Sequence, residues 1–463
     1  MIPDKKVQSF CLKLILFITL ILGCRTSLFS QQDTSDNFSK AQDLFNQKNY
    51  SAVIDMLGTY IGKRPDSSKA YFLRGRAYFE IKDYNSAITD FGMAENLRDT
   101  VSDLYYYRGL SYDKIKNYSQ GIADLKKVVE RDQNYLPAFV ELGDVYFKIN
   151  EYSFAFDYYS LADELKPNDP VFMDKLARTE IKLKSYKDAI VLYQRIVAID
   201  STNVSYINNM GMAYYLSNDS VNALLCFNKA ISIDSVYAYA IYNLAKFYQA
   251  TGLYDLAIRN YTKVMELDPP DLNDAELHMN RGELYIQTGE FDKALQDFNT
   301  TIGLDPDNPN AYGGRGRVYV SMGKDTLAIA DLTKVLEIDS VNLTGLIYSG
   351  LVNIDFGNYD KAENFLRNAL KISPKDTMAL YGLGELYFNK QKYSEAIDYF
   401  SKAIQANPNF KRIFVKRGSS YYNLGFFRLA AADWDLAIKY DPAIYNEIKP
   451  LLNDARNKAG TKN

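Results

Sequence analysis

The sequence predicts an all-α solenoid of about twelve helix–turn–helix repeats closed by a C-terminal capping helix. Three observations carry this: helical spacing of apolar residues, a 34-residue recurrence of that spacing, and proline at regular stops. Residues 380–408 show the unit. Leu380, Leu383, Gly384 and Tyr387 fall on one face of a first helix, and Ala396, Phe400 and Ala403 on one face of a second. A polar turn at Lys390–Lys392 separates them, and Asn407-Pro408 ends the second helix, because proline disfavours helical geometry in the residue before it. Such a hairpin cannot bury its apolar face alone, so it must stack.

Small residues mark the register: Ala41, Gly75, Gly109, Gly143, Ala177, Gly211 and Ala245, then, after one step of 37, Gly282, Gly316, Gly350, Gly384 and Gly418. Three residues on, nine of the twelve units carry tyrosine, and twelve residues on, ten carry alanine. Proline closes seven, at Pro65, Pro167, Pro269, Pro306, Pro374, Pro408 and Pro442. Period and signature resemble the tetratricopeptide repeat over about residues 36–443. The resemblance implies a right-handed superhelix whose first helices line a concave binding groove.

Taken in order, residues 1–30 read as a signal peptide. Lys5, Lys6 and Lys13 accompany the run Leu14–Leu22, too short to span a membrane. Two cleavages stay open: a lipobox-like Ile21–Cys24, leaving Cys24 for lipidation, or cleavage after Ser30. Residues 31–37 form a polar linker. Repeats 1–7 occupy residues 36–268, the first of them atypical, as a terminal repeat should be. Pro269–Asp274 holds a three-residue insertion, after which repeats 8–12 fill residues 269–443. Residues 444–463 supply the capping helix, with Ile448, Leu451, Leu452 and Ala455 facing repeat 12 and Pro450 kinking it or delaying its start, followed by a short tail.

Composition narrows the function. A net charge of −3 gives no global basic field for nucleic acid or anionic lipid, so membrane contact is expected only through the signal or a lipid anchor. Cys11, Cys24 and Cys226 build no disulfide framework, and no Cys/His cluster has metal-ligand spacing. The single histidine, His278, occupies a packing position, so no catalytic, cofactor or metal residues are assigned and the protein is expected not to be an enzyme. Gly313-Gly314-Arg315-Gly316 lies inside a first helix rather than in a phosphate-binding loop; its extra glycines imply local looseness or a bare spot for a ligand backbone.

Two residues before the packing position, three consecutive repeats carry Asn209, Asn243 and Asn280. Carboxamides both donate and accept, so such a row can pair with a peptide backbone. It is similar to the asparagine ladder of O-linked N-acetylglucosamine transferases. Met212, Tyr242, Lys246 and Met279 are expected on the same face, with Arg178 and Arg317 flanking it. A carboxylate-clamp adaptor needs a set of Lys, Asn and Arg over three adjacent repeats, of which Lys175 and Arg178 are only a fragment. Turn triplets such as Asp219-Ser220-Val221, Asp234-Ser235-Val236, Asp339-Ser340-Val341 and Asp376-Thr377-Met378 resemble an exported-protein glycosylation sequon and equally suit helix caps.

The resulting expectation is an exported scaffold or adaptor, periplasmic or at the outer membrane, that holds a peptide or protein in its groove. Two alternatives stand beside it: an accessory subunit of an enzyme such as a glycosyltransferase, and a self-associating envelope protein.

Overall fold

The computed structural model describes residues 37–98 and 101–460. The signal region and Cys24 lie outside them. Helices dominate, and no strand occurs among the described residues. The chain divides into two compact units, one ending at Ile233 and the other beginning at Asp234.

The first unit holds six hairpins. Their first helices are residues 37–46, Ser68–Glu80, Ser102–Lys114, Leu136–Lys148, Pro170–Lys182 and Val204–Leu216. Their second helices are Tyr50–Lys63, Tyr84–Asn96, Tyr118–Arg131, Tyr152–Leu165, Tyr186–Ile199 and Ser220–Ile233. The second unit repeats the plan with Ala238–Ala250, Asp274–Thr288, Pro309–Ser321, Leu343–Asp355, Thr377–Asn389 and Arg412–Asn423 as first helices. Its second helices are Tyr254–Leu267, Phe291–Leu304, Asp325–Ile338, Tyr359–Ile372, Tyr393–Ala406 and Phe427–Tyr440. The expected all-α repeat solenoid is therefore what the chain forms. The insertion at Pro269–Asp274 lies within the second unit, in the turn before Asp274–Thr288.

One contact recurs in every hairpin. Sixteen residues beyond the small residue, the second helix places a large side chain flat against the bared first helix. Phe91, Leu125, Tyr159, Phe227, Phe400 and Trp434 are all no more than 2% exposed. A Cβ at Gly384 would stand 2.4 Å from the Phe400 ring, and one at Gly143 2.4 Å from Tyr159. The small residues are thus sites of interlocking, which fixes the hairpin at close-packed density. Leu380, Leu383, Ala396 and Ala403 are buried around Phe400, as the helical spacing predicts.

A second device was not anticipated. In five repeats the residue before the packing glycine is arginine, and it grips an aspartate sixteen residues on. Arg74 Nε and Nη2 donate to Asp90 at 2.7 and 2.8 Å. Arg108–Asp124, Arg281–Asp297, Arg315–Asp331 and Arg417–Asp433 form the same two-pronged pair. All five carboxylates are buried. His278 Nδ1 lies 2.8 Å from Asp297 Oδ1 and so belongs to one of these forks.

Seven residues beyond the small residue the chain turns through a left-handed conformation in all twelve hairpins, as at Lys184 (φ 65°) and Gly357 (φ 72°). Aspartates act as caps both between hairpins, where Asp376 accepts from Ala379 N and Asp234 from Val236 N, and within one, where Asp219 accepts from Asn222 N. The turn triplets therefore have a structural role wherever these bonds form.

Two expectations change. Gly313 and Gly314 are buried, and a Cβ at Gly314 would lie 2.5 Å from Phe298, so this stretch is tightly filled and offers no bare spot. At the C-terminus the helix Tyr445–Gly460 runs through Pro450; Ile448, Leu452 and Ala455 are buried, but Leu451 is 45% exposed and faces away from the cap contact.

Candidate functional site

The face of the first helices turned away from the second-helix core is where the sequence placed its binding residues. In the first unit this face is crossed by polar ties from one repeat to the next. Lys148 Nζ donates to both Asp113 oxygens at 2.7 Å, and Lys175 Nζ to Asp144 Oδ1 at 2.5 Å. Asn209 belongs to this series: its Nδ2 donates to Asp174 Oδ1 at 3.4 Å, and its oxygen accepts from Asn208. The Tyr193 hydroxyl donates to the same Asp174 oxygen at 3.0 Å, and burial, followed by that carboxylate, pushes its phenol well above the usual range.

Arg178 is exposed, with its guanidinium 5.6 Å from the Phe147 ring. Asp144, Phe147, Lys148, Tyr159, Lys175 and Arg178 line a cleft of about 220 Å³. Beside it stands Glu141, at the register of the asparagine row; burial, then the charge of Asp144, pushes its carboxyl up. Met212 is half-buried one repeat further on.

In the second unit the Tyr242 hydroxyl donates to Glu276 Oε1 at 2.6 Å, and burial and this bond push the phenol up. Exposed Lys246 sits with Nζ 5.2 Å from the Tyr242 ring. Asn243 and Asn280 are half-buried on adjacent first helices. Met279 packs beside Phe298 and Tyr285 and lines a cleft of about 530 Å³ with Glu276 and Asn308. Arg317 is tied down: its Nη1 donates to both Glu283 oxygens at 2.9 and 2.8 Å, and its guanidinium lies 5.7 Å from the Tyr348 ring.

The expected row is thus split between the units, with Asn209 in the first and Asn243 and Asn280 in the second. Asn209, Tyr242 and Arg317 spend polar groups on neighbouring repeats, whereas Arg178 and Lys246 present theirs outward. Sequence reasoning overlooked the inter-repeat ties, whose signal is an acid and a donor 31–35 residues apart on adjacent first helices. Nothing in the described residues gathers three His, Cys, Asp or Glu groups into a metal-holding cluster. Burial pushes the Cys226 thiol up to about 11, far from a nucleophilic thiolate at neutral pH.

Four models described as tetratricopeptide repeat match this sequence: one at residues 378–410, one at 237–307, one at 38–95 and 280–342, and one at 102–135 and 349–376. Among solved structures, the Cut9–Hcn1 hetero-tetramer of the APC/C is similar over 91% of this chain and 90% of its own, at 18% identity and a TM-score of 0.47. A tetratricopeptide repeat protein from Parabacteroides merdae covers 55% of this chain and 98% of its own, at 22% identity and a TM-score of 0.47. The C-terminal part of a repeat-containing protein from Cytophaga hutchinsonii covers 51% and 96%, at 19% identity and a TM-score of 0.44. No curated protein matches the sequence.

Proposed function

The chain belongs to the tetratricopeptide repeat family, and on that premise we propose that it is an exported scaffold that holds a peptide or protein segment along the groove of its first helices. Protein binding is the usual work of this family; export, the groove and its residues are our reading. The observation that carries it is the cleft at repeats 4 and 5, where Phe147 and Tyr159 supply apolar walls and Arg178 points an exposed cation outward. Lys246, Asn243 and Asn280 extend the same chemistry in the second unit. Such a site acts passively: it orders a partner by hydrogen bonds and aromatic contact, and residues already tied to neighbours lose little further entropy when it binds.

Export rests on the sequence of residues 1–30 alone. Among the described residues, no helix is long and apolar enough to cross a membrane.

The test is capture from an envelope extract of the source organism, with the full chain beside an Arg178→Ala/Asn243→Ala/Asn280→Ala variant. A partner held by the wild type and at least ten-fold depleted on the variant, with helical circular dichroism unchanged, is the expected result. Equal recovery by both proteins would remove the first-helix groove from the proposal.

A further inference from the structure

Resting on that peptide-binding reading, we infer that Arg76 is an anchor for an acidic side chain, an internal Asp or Glu of the bound peptide. Arg76 stands on the first helix of repeat 2. Its guanidinium lies 3.6 Å from the centre of the Tyr107 ring and 5.4 Å from that of Phe45. Tyr107 is in turn fixed by edge contacts with Phe79 at 5.5 Å and Tyr106 at 5.3 Å. The cation is therefore held in place by rings. Its Nε is buried with no hydrogen-bond partner, and no carboxylate pairs with it among the described residues.

The chain contains its own control. Counted from the packing residue, Arg76 and Tyr107 occupy the same repeat positions as Arg317 and Tyr348 in the second unit, and both arginines stack on the following repeat's tyrosine. One repeat earlier the second unit supplies Glu283, which takes Arg317 at 2.8 Å; the first unit has Gln42 there, an exposed neutral side chain. The same arginine–tyrosine pair thus comes once with a carboxylate built in and once without. Stacking a guanidinium on an aromatic face leaves its terminal N–H groups to meet a carboxylate, as Arg317 Nη1 meets both Glu283 oxygens. Because the ring stack has already removed the side-chain freedom of Arg76, an incoming acid would pay little of the usual ordering cost. A side-chain carboxylate from the partner would take the part that Glu283 plays within the chain.

Random nine-residue peptides, amidated at the C-terminus, would be selected against three full-length proteins: wild type, Arg76→Gln and Gln42→Glu. Gln42→Glu changes an exposed residue and plants the missing acid, so it should block the anchor without disturbing the core. The expected result is a fixed Asp or Glu in the wild-type selection that disappears from both variants. By fluorescence anisotropy, one selected peptide should bind each variant ten- to a hundred-fold more weakly, on the order of one charged hydrogen-bonded pair. Replacing its acid by the amide should weaken wild-type binding equally and variant binding hardly at all. Wild-type peptides without an acidic position, or an acidic preference that survives Arg76→Gln, would overturn the anchor and leave the peptide-binding reading standing. If no peptide is enriched on any of the three proteins, both fall.

Discussion

The two units solve one turn in two ways. Where the first helix hands over to the second, the first unit holds its left-handed residue with Lys48, Lys82, Lys116, Asn150, Lys184 and Asn218. The second unit uses glycine at five of its six turns, with Gln391 as the exception. The backbone is the same, since φ is 65° at Lys184 and 72° at Gly357, yet a Cβ in this region costs about 1–2 kcal/mol. The contrast continues on the first-helix face, where the second unit pairs Arg317 with Glu283 while the first leaves Arg76 stacked without an acid. By contrast, the buried ring against the packing glycine and the Arg–Asp fork occur in both units. The buried side chain against the small residue recurs in every hairpin, whereas the fork is used by five of the twelve and the turn residue varies.

The largest effect should come from breaking the shared part. Asp331→Ala in the second unit strands a largely buried arginine and should lower local stability by about 3–5 kcal/mol, whereas Asp124→Ala in the first leaves Arg108 paired with Glu95 and should cost less. Amide hydrogen exchange within each unit would read this, because local opening in a repeat array need not follow a single global transition. A loss confined to one unit would show that the forks are not equivalent. Replacing the Arg108–Asp124 pair by the Leu142–Tyr158 combination of repeat 4 should recover much of the loss.

The turns should respond unequally. Gly357→Ala forces a Cβ into left-handed geometry and should cost about 1 kcal/mol, whereas Lys184→Ala, already bearing that Cβ, should change stability by less than about 0.5 kcal/mol. Equal costs would mean that the surroundings of the two turns, rather than backbone strain, separate the units.

Acid should produce the smallest effect, alike in both units. Burial raises the Glu95 carboxyl, but hydrogen bonds from Arg108 and Lys127 outweigh it and bring it down to about 2; Arg367, Tyr387 and Lys390 do the same for Glu363. Both folded values lie below the unfolded one near 4.5. The stability each group contributes is therefore present above about pH 4.5 and is lost as pH falls toward 2. With the Glu95 side chain 31% exposed, the loss should be at most about 1 kcal/mol. Glu95→Gln should flatten the first unit's acid response between these limits, followed by circular dichroism; an unchanged slope would assign that loss to other carboxylates.

The architecture was legible in the sequence for a physical reason. A hairpin that touches chiefly its neighbours must repeat its apolar spacing and its small residues at a fixed period, so helix faces, turns and hairpin count follow from local pattern. The Arg–Asp fork was equally legible, because Arg74, Arg108, Arg281, Arg315 and Arg417 are each followed sixteen residues later by aspartate. Its residues stand beside the apolar and small positions that carry the repeat, and so do not show in that pattern. The candidate site was only partly legible. Side-chain type and register placed Asn209, Tyr242 and Arg317 on first helices, but Asp174, Glu276 and Glu283 on adjoining repeats take up their polar groups. Which donors stay available, and that the Arg76 cation rests between two rings without an acid, were decided by distances between side chains far apart in the chain. Those distances exist only once the hairpins are packed.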